Sequence, residues 1–466
     1  MLDGRETELE IIDHPSSEIS VESLCSTYNP DVYVVVYSVV DRKSMKVAED
    51  ILMYLWKSDY MSTKGVILVG NKADLERKRE VATSAGRKLA NNCGCKFIET
   101  SSGLDHNVDE LLVGILAQVQ LNPKRRRQRI SKKKELHAHL NGSLSPSTLK
   151  ELFEYHRQNE FEKVNSVDTS IFNKESYSLN EFFQLFKVMY ILTATPESVQ
   201  IATERVIEDF CKENVIYLEL RSTLRKEDNM TKRDYIESVI QGILRCRKKF
   251  PNISVKLIVS INRGETIESA TQNVNIAIEY SKKYPDIIIG IDTSGNPEKS
   301  KFCDYVKLLK RARSEGLKFT IHCAEVPGSE EVKDILDFNP ERIGHGTCIH
   351  ELLGGSQVIW DELLMKKIPV ELCISSNIKC KTVESYDRHH FKLLYNANHP
   401  ITIATDDKGI FRSTLSDEYE IVQKEFNLNE KELWTLSYQS INYTFTDENE
   451  KEQLRTILNQ WQIGNI

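Results

Sequence analysis

Short apolar runs rich in β-branched residues alternate with segments of helical period along most of the chain, and the scale of the alternation changes once. Over residues 1–122, the runs VYVVVYSVV (32–40), GVILVGN (65–71) and CKFIETSS (95–102) predict three buried parallel strands. SMKVAEDILMYLW (44–56), SAGRKLANN (84–92) and NVDELLVGILAQVQ (107–120) predict the helices between and after them. That is an open, doubly wound α/β sheet. From residue 134 eight further runs follow: KELHAHL (134–140), VIYLELRS (215–222), VKLIVSIN (255–262), IIIGIDTSG (287–295), KFTIHCAE (318–325), RIGHGT (342–347), IPVELCISSN (368–377) and ITIATDD (401–407). Helical patterns such as 237–250, 271–284 and 303–316 separate them. Eight βα units in about 330 residues predict a (β/α)8 TIM barrel. Residues 141–214, mostly helical in pattern, are long enough to form a lid over the barrel mouth.

The predicted organisation is therefore an incomplete α/β segment at 1–122, a basic linker at 123–133 and a barrel at 134–466. The C-terminal ends of barrel strands form the active face in this architecture. Here those ends carry His137 and His139, Asp292 and Gly295, His322 and Glu325, His345, the Ser375-Ser376-Asn377 turn, and Asp406 and Asp407. His137 and His139 stand two apart on a strand, so both imidazoles project to one side. A lone pair of this kind is more often structural than ligating. With His322 and Asp406 from other strand ends, it becomes three nitrogens and a carboxylate oxygen, a coherent ligand set for one Zn2+ per barrel with a position left open for chemistry.

ELHAHLNGS, the SGNP turn, HCAE, ERIGHGT, SSN and ATDDKG, in this order, resemble the adenosine deaminase superfamily of amidohydrolases over 134–466. SLNEFFQLF, YLELRST, SYDRHHF and TDDKGIF are similar, more narrowly, to its adenosine deaminase-like branch, which removes the alkylamine from N6-methyl-AMP to give IMP. The resemblance implies a TIM barrel of the metal-dependent hydrolase type, zinc held by His137, His139, His322 and Asp406, and catalysis by Glu325, His345 and Asp407. Glu325 matches the acid beside purine N1, His345 the group that takes or orients the water proton, and Asp407 the carboxylate that orients the nucleophile and meets N7. The Gly295 amide matches a contact to N3.

Two departures from the nucleoside enzymes favour a purine nucleoside monophosphate as substrate. Asn141 stands where those enzymes carry an aspartate against the sugar 5′-hydroxyl, and Lys408 where they carry proline. An amide tolerates a phosphate that a carboxylate would repel, and a rim cation would attract it. Ser222, Thr223 and Arg225 are further phosphate candidates. Phe182, Phe183 and Phe186 lie at helical spacing, as core or as a wall of the purine site. His389 and His390 belong to the resemblance without an assignable role. The other readings weighed are adenosine or AMP deamination at the same site and, of another class, a GTPase-like regulatory protein with the barrel as passenger.

That second reading comes from the N-terminal segment. Asn71-Lys72-Ala73-Asp74 and Glu99-Thr100-Ser101-Ser102 each follow a predicted strand, and REVATSAGRKLANNCGCKFIETSSGLDHNVDELL resembles the C-terminal part of a Ras-like GTPase of the Rad/Gem/Kir type. IIDHP (11–15) stands at the position of the DxxG element. The chain contains no GxxxxGK[ST] phosphate loop, so GTP binding is not expected. The missing first strand predicts unpaired sheet edges and marginal stability. Eight of the eleven residues 124–134 are Lys or Arg. As a block of like charge they read as a solvated linker, while the GTPase resemblance implies weak contact with an anionic membrane surface or calmodulin. A net charge of −7 argues against specific nucleic-acid binding. The ten cysteines form no CxxC pair, and neither a signal peptide nor a membrane span is evident, so a cytoplasmic protein with reduced thiols is expected.

Overall fold

The computed structural model describes residues 9–13, 21–28, 30–58, 60, 64–121, 132–159, 161–170 and 179–465. The chain divides into two compact units, Met1–Arg129 and Ile130–Ile466.

In the first unit, β1 (Val32–Ser38), β2 (Gly65–Asn71) and β3 (Lys96–Glu99) form a parallel sheet in that order. Asp41 caps the helix Arg42–Lys57 by accepting from the Lys43 amide, and the helices Thr83–Cys93 and Val108–Leu121 complete the alternation. The core gathers Tyr33, Val35 and Tyr37 of β1 with Leu52, Leu55 and Leu68. The opposite face of β1 leaves Val34 and Val36 exposed, at 37% and 55%. Among the described residues no strand pairs with the outer edge of β1, the unpaired edge that the missing first strand predicts. The two GTPase-like loops are nevertheless assembled. Asn71 Oδ1 accepts from the amides of Lys72 and Ser102, and Ser101 Oγ donates to Asp74 Oδ1 at 2.6 Å.

The second unit is an eight-stranded all-parallel barrel: β4 (Lys133–His139), β5 (Val215–Thr223), β6 (Ser254–Asn262), β7 (Ile288–Ser294), β8 (Lys318–Cys323), β9 (Arg342–His345), β10 (Val370–Leu372) and β11 (Ile401–Ile403), each beside the next. A parallel bridge between Ala138 and Asp406 closes it. The Asp406 amide donates to His137 O, and the His139 amide donates back to Asp406 O. Closure is thus made by the residues expected to hold the metal. The helices Pro146–Gln158, Leu179–Leu192 and Pro196–Cys211 occupy the long connection after β4. Leu149, Leu152, Leu185 and Met189 of these helices join the main core.

Three expectations are corrected. Lys133 and Lys134 are not linker: both are fully buried in β4, and Lys134 Nζ donates to Ser437 Oγ at 2.9 Å. Neither can touch a membrane or calmodulin, and residues 124–131 of the basic run lie outside the described residues. The run 368–377 is not one strand. β10 stops at Leu372, and Ser375, Ser376 and Asn377 sit on the short helix Ile374–Lys379. The cause is tertiary, because the buried Glu418 carboxylate accepts from the Ser375 amide and from its hydroxyl. Lys408, the third, is treated with the site. The side chains of Phe182 and Phe183, and His14, also lie outside the described residues; Phe186 packs against the barrel core. No described helix is long and apolar enough to cross a membrane.

Candidate metal centre and active site

Four strand ends bring His137, His139, His322 and Asp406 together, with one ligand atom from each lying within 4.8 Å of the others. Asp406 Oδ1 is 3.3 Å from His137 Nε2 and 3.3 Å from His139 Nε2. His139 Nε2 is 3.3 Å from His322 Nε2. His137 is fully buried and His322 and Asp406 nearly so, while His139 keeps a solvent-facing edge.

The back of each buried ring is fixed. His137 Nδ1 lies 2.7 Å from Glu371 Oε2, and His322 Nδ1 lies 2.8 Å from Asp292 Oδ1. An ionised carboxylate can only accept, so each Nδ1 carries a proton and each Nε2 is the nitrogen that faces the cluster. His137 Nε2 makes no hydrogen bond there, and burial lowers the His137 pKa to about 4, keeping that lone pair free at neutral pH.

Glu371 is itself held by Arg221 NH2 at 2.9 Å, Arg342 Nε at 2.6 Å and Thr320 Oγ1 at 2.8 Å. Asp292 accepts from Ser260 Oγ at 2.9 Å and faces Arg221. Arg342 also pairs with Glu219, whose other oxygen accepts from Tyr217 OH. The unpartnered His137 nitrogen and the borderline donor set of three imidazoles and a carboxylate fit a divalent cation.

Around the cluster stand the other candidates. His345 Nε2 is 3.7 Å from Glu325 Oε1 and 3.9 Å from Asp406 Oδ2. Ser376 Oγ donates to that same Asp406 Oδ2 at 2.8 Å. Asp407 is buried with Oδ1 unpartnered, and burial together with the neighbouring Asp406 charge raises its pKa well above the usual carboxylate range. His345 and Asp406 hold φ of 60° and 61°, and Ala324, just before Glu325, holds 57°, so left-handed backbone is concentrated at this rim. Gly295, at φ 88°, directly follows β7, and an added Cβ there would meet Asn262 Oδ1 at 2.5 Å.

Gly142 sets the place of Asp407. A Cβ at Gly142 would lie 1.6 Å from Asp407 Oδ1. Gly142→Ala is expected to displace that carboxyl and lower kcat/KM by about 100-fold, the cost of misplacing a reacting group by about 1 Å. Steady-state kinetics checks this, and activity within threefold of the parent would refute it.

The proposed phosphate contacts divide. Asn141, Ser222 and Arg225 share one network. Thr193 Oγ1 donates to Asn141 Oδ1 at 3.3 Å, Arg225 NH2 donates to Thr193 Oγ1 at 2.7 Å, and Ser222 Oγ and Asn141 Nδ2 both reach Tyr235 OH. Arg225 also lies 4.5 Å over the Tyr190 ring. Thr223 ends β5, partly exposed. Lys408 does not join them. Its ammonium turns from the mouth to pair with Glu213, ahead of β5, and lies 4.4 Å over the Phe210 ring. A lysine already paired in a buried setting is not a rim charge, so the phosphate contact expected of it is withdrawn. Sequence reading passed over Glu371, Arg221, Arg342, Thr193 and Tyr235. The only signal for Glu371 was a charge inside an otherwise apolar run, while Arg221 and Arg342 stand near the ends of theirs.

A parallel barrel with histidines and a carboxylate converging at its C-terminal rim is the scaffold of a metal-dependent hydrolase. A model of the adenosine deaminase family matches residues 132–461, and a model of the Ras family matches residues 1–121. The chain belongs to the adenosine deaminase family. It is 40% identical over 326 residues to the N6-methyl-AMP deaminase of Bos taurus, covering 69% of this chain and 92% of that protein. The Homo sapiens N6-methyl-AMP deaminase is 39% identical over 326 residues, with 69% and 91% covered. The structure of the Arabidopsis relative complexed with IMP superimposes with a TM-score of 0.65 at 38% identity, covering 73% of this chain and 99% of that one.

Proposed function

We propose that the second unit is a zinc-dependent aminohydrolase that removes the N6 amine or alkylamine from N6-methyl-AMP-type purine nucleoside monophosphates, giving IMP. The observation that carries this reading is the convergence of His137, His139, His322 and Asp406 beside Glu325, His345 and Asp407. The relatives named for N6-methyl-AMP deamination, and a relative solved with IMP, support the substrate class.

The three imidazoles and Asp406 would hold the zinc, which supplies Lewis acidity that lowers the pKa of water towards about 7. His345 Nε2 takes the proton of the attacking water, and Asp407 orients that water and meets purine N7. As oxygen adds to C6, electrons pass to N1, where the Glu325 carboxyl donates a proton. The Gly295 amide meets N3. The C6–N6 bond then breaks: the proton taken by His345 passes to the departing amine, and the C6 hydroxyl sheds its own proton as the C6 carbonyl forms, restoring the Glu325 carboxyl. Asn141, Ser222 and Arg225 line the 5′ side, where an amide, a hydroxyl and a guanidinium suit a phosphate.

Turnover of N6-methyl-AMP, AMP and adenosine by the purified chain, followed as amine release, tests the reading. N6-methyl-AMP is expected to have the highest kcat/KM, and a strong chelator is expected to abolish activity that zinc restores. A preference for adenosine would overturn the monophosphate assignment, and full activity without metal would overturn the mechanism.

A further inference from the structure

His389 and His390 lie outside the proton chemistry above, yet both are about 1% exposed, and their rings stack 4.3 Å apart at an interplanar angle of 19°. His390 Nε2 lies 2.8 Å from the carbonyl oxygen of His345. A carbonyl only accepts, so His390 carries its proton on Nε2 and donates it there. The tautomer of His389 is fixed as well. Its Nδ1 accepts from the Phe391 amide at 3.0 Å, which leaves Nε2–H to donate to Asn377 Oδ1 at 3.1 Å. Asn377 Nδ2 in turn donates to Thr347 Oγ1 and Thr382 Oγ1, each at 3.3 Å. The segment carrying His345 is therefore gripped at its own carbonyl and again two residues on.

That segment needs holding. His345 sits at φ 60° and Gly346 at φ 65°, a stretch of left-handed backbone that a non-glycine residue rarely enters unsupported. Gly344 on the other side is pressed against the His137 ring, where a Cβ would meet Cε1 at 2.9 Å. The His345 ring itself has little to orient it, since its Nδ1 makes no hydrogen bond. Its direction toward Glu325 and Asp406 comes from the backbone, which is held on one side by the Gly346 amide on Cys323 O at 3.0 Å and the Cys348 amide on Ala324 O at 2.7 Å, and on the other by the histidine pair.

We propose that the stacked His389–His390 pair, tied through Asn377 to Thr347, is a positioning device that fixes the strained backbone of His345 and so aims its Nε2 at the attacking water. Both histidines are positioning residues and touch neither substrate nor metal. The inference rests on the reading of His345 given above. Burial keeps both rings neutral, with the His390 pKa lowered to about 4, so each acts as a fixed donor through the neutral range.

The test uses the full chain with its metal and compares the wild type with His390→Gln, His390→Leu and Asn377→Ala. Gln can place its amide N–H where the Nε2–H of histidine lies; Leu cannot. Expected for His390→Leu are a fall in kcat of tenfold or more, KM within twofold, one metal per chain retained, and faster amide exchange over 343–348. His390→Gln is expected to recover at least half of the lost activity. Should His390→Leu fail to fold, Asn377→Ala removes the second grip, with an expected threefold or greater fall in kcat at unchanged KM. Wild-type kcat in His390→Leu, or equal loss in the Gln and Leu variants, overturns the proposal; so does wild-type kcat in Asn377→Ala. A wild type that turns over none of the three purines would instead overturn the functional reading, and amide exchange in the variants still decides the positioning claim.

Discussion

Glu325→Gln is expected to lower kcat by about 10²–10⁴-fold, the usual share of a positioned general acid, while KM, bound metal and folding stay close to those of the wild type. The separation follows from where the side chain sits. Glu325 is about 30% exposed at the rim, and its carboxylate lies 3.7 Å from His345 Nε2. It is not among the four residues that converge as ligands. Its replacement by an isosteric amide leaves no cavity and no buried unpaired charge, so none of the large destabilising mechanisms applies. An amide cannot deliver a proton to N1, and only the step that needs one suffers. Single-turnover amine release, together with the metal content of the variant, reads this out. A kcat within threefold of the wild type would remove Glu325 from the mechanism.

The second large effect is on stability and metal retention together. Glu371 lies below the rim, fully buried, and accepts from Arg221, Arg342 and Thr320 as well as from His137 Nδ1. Glu371→Leu strips a carboxylate from between two buried guanidiniums. Breaking a buried ionic network by removing one partner costs about 3–5 kcal/mol, because the charges left behind are neither solvated nor paired. Arg221 keeps Asp292 and Arg342 keeps Glu219, which places the expected loss toward the lower end of that range. His137 also loses the acceptor that fixes its tautomer, and metal affinity is expected to fall by about 10–100-fold. Denaturant unfolding of the barrel unit and zinc competition against a chelator measure the two effects. Unchanged stability and unchanged affinity would show that the carboxylate is not what holds the ring.

The sequence carried the local part of this. His137 and His139 are two apart in a strand of period two, so their common direction is a property of the backbone and needs no partner to predict it. Five of the short apolar runs are strands to within one residue at each end: β2 is 65–71, β4 133–139, β5 215–223, β6 254–262 and β7 288–294. Chain order placed His322, Glu325, His345, Asp406 and Asp407 at strand ends, and barrel architecture gives strand ends a common rim. The expectation that the N-terminal sheet would have an open edge followed equally from counting strands.

What remained out of reach depends on partners far along the chain. Glu371 reads as one polar residue in a strand, and nothing local shows that it lies between Arg221, 150 positions earlier, and His137, 234 earlier. Ser375–Asn377 continue an apolar run and look like strand until Glu418 captures the Ser375 backbone. Lys133 and Lys134 look like the end of a solvated basic block until β4 carries them inside. For Lys408 the charge was visible and its direction was not, since Glu213 and Phe210 draw it away from the mouth. By itself, then, the sequence determined which residues could bind a metal and move protons, because side-chain chemistry and backbone periodicity are local. Only the tertiary structure decided which charges are paired, which rings are aimed and which lysine faces away, because electrostatic and hydrogen-bond energies depend on distances that chain order does not set.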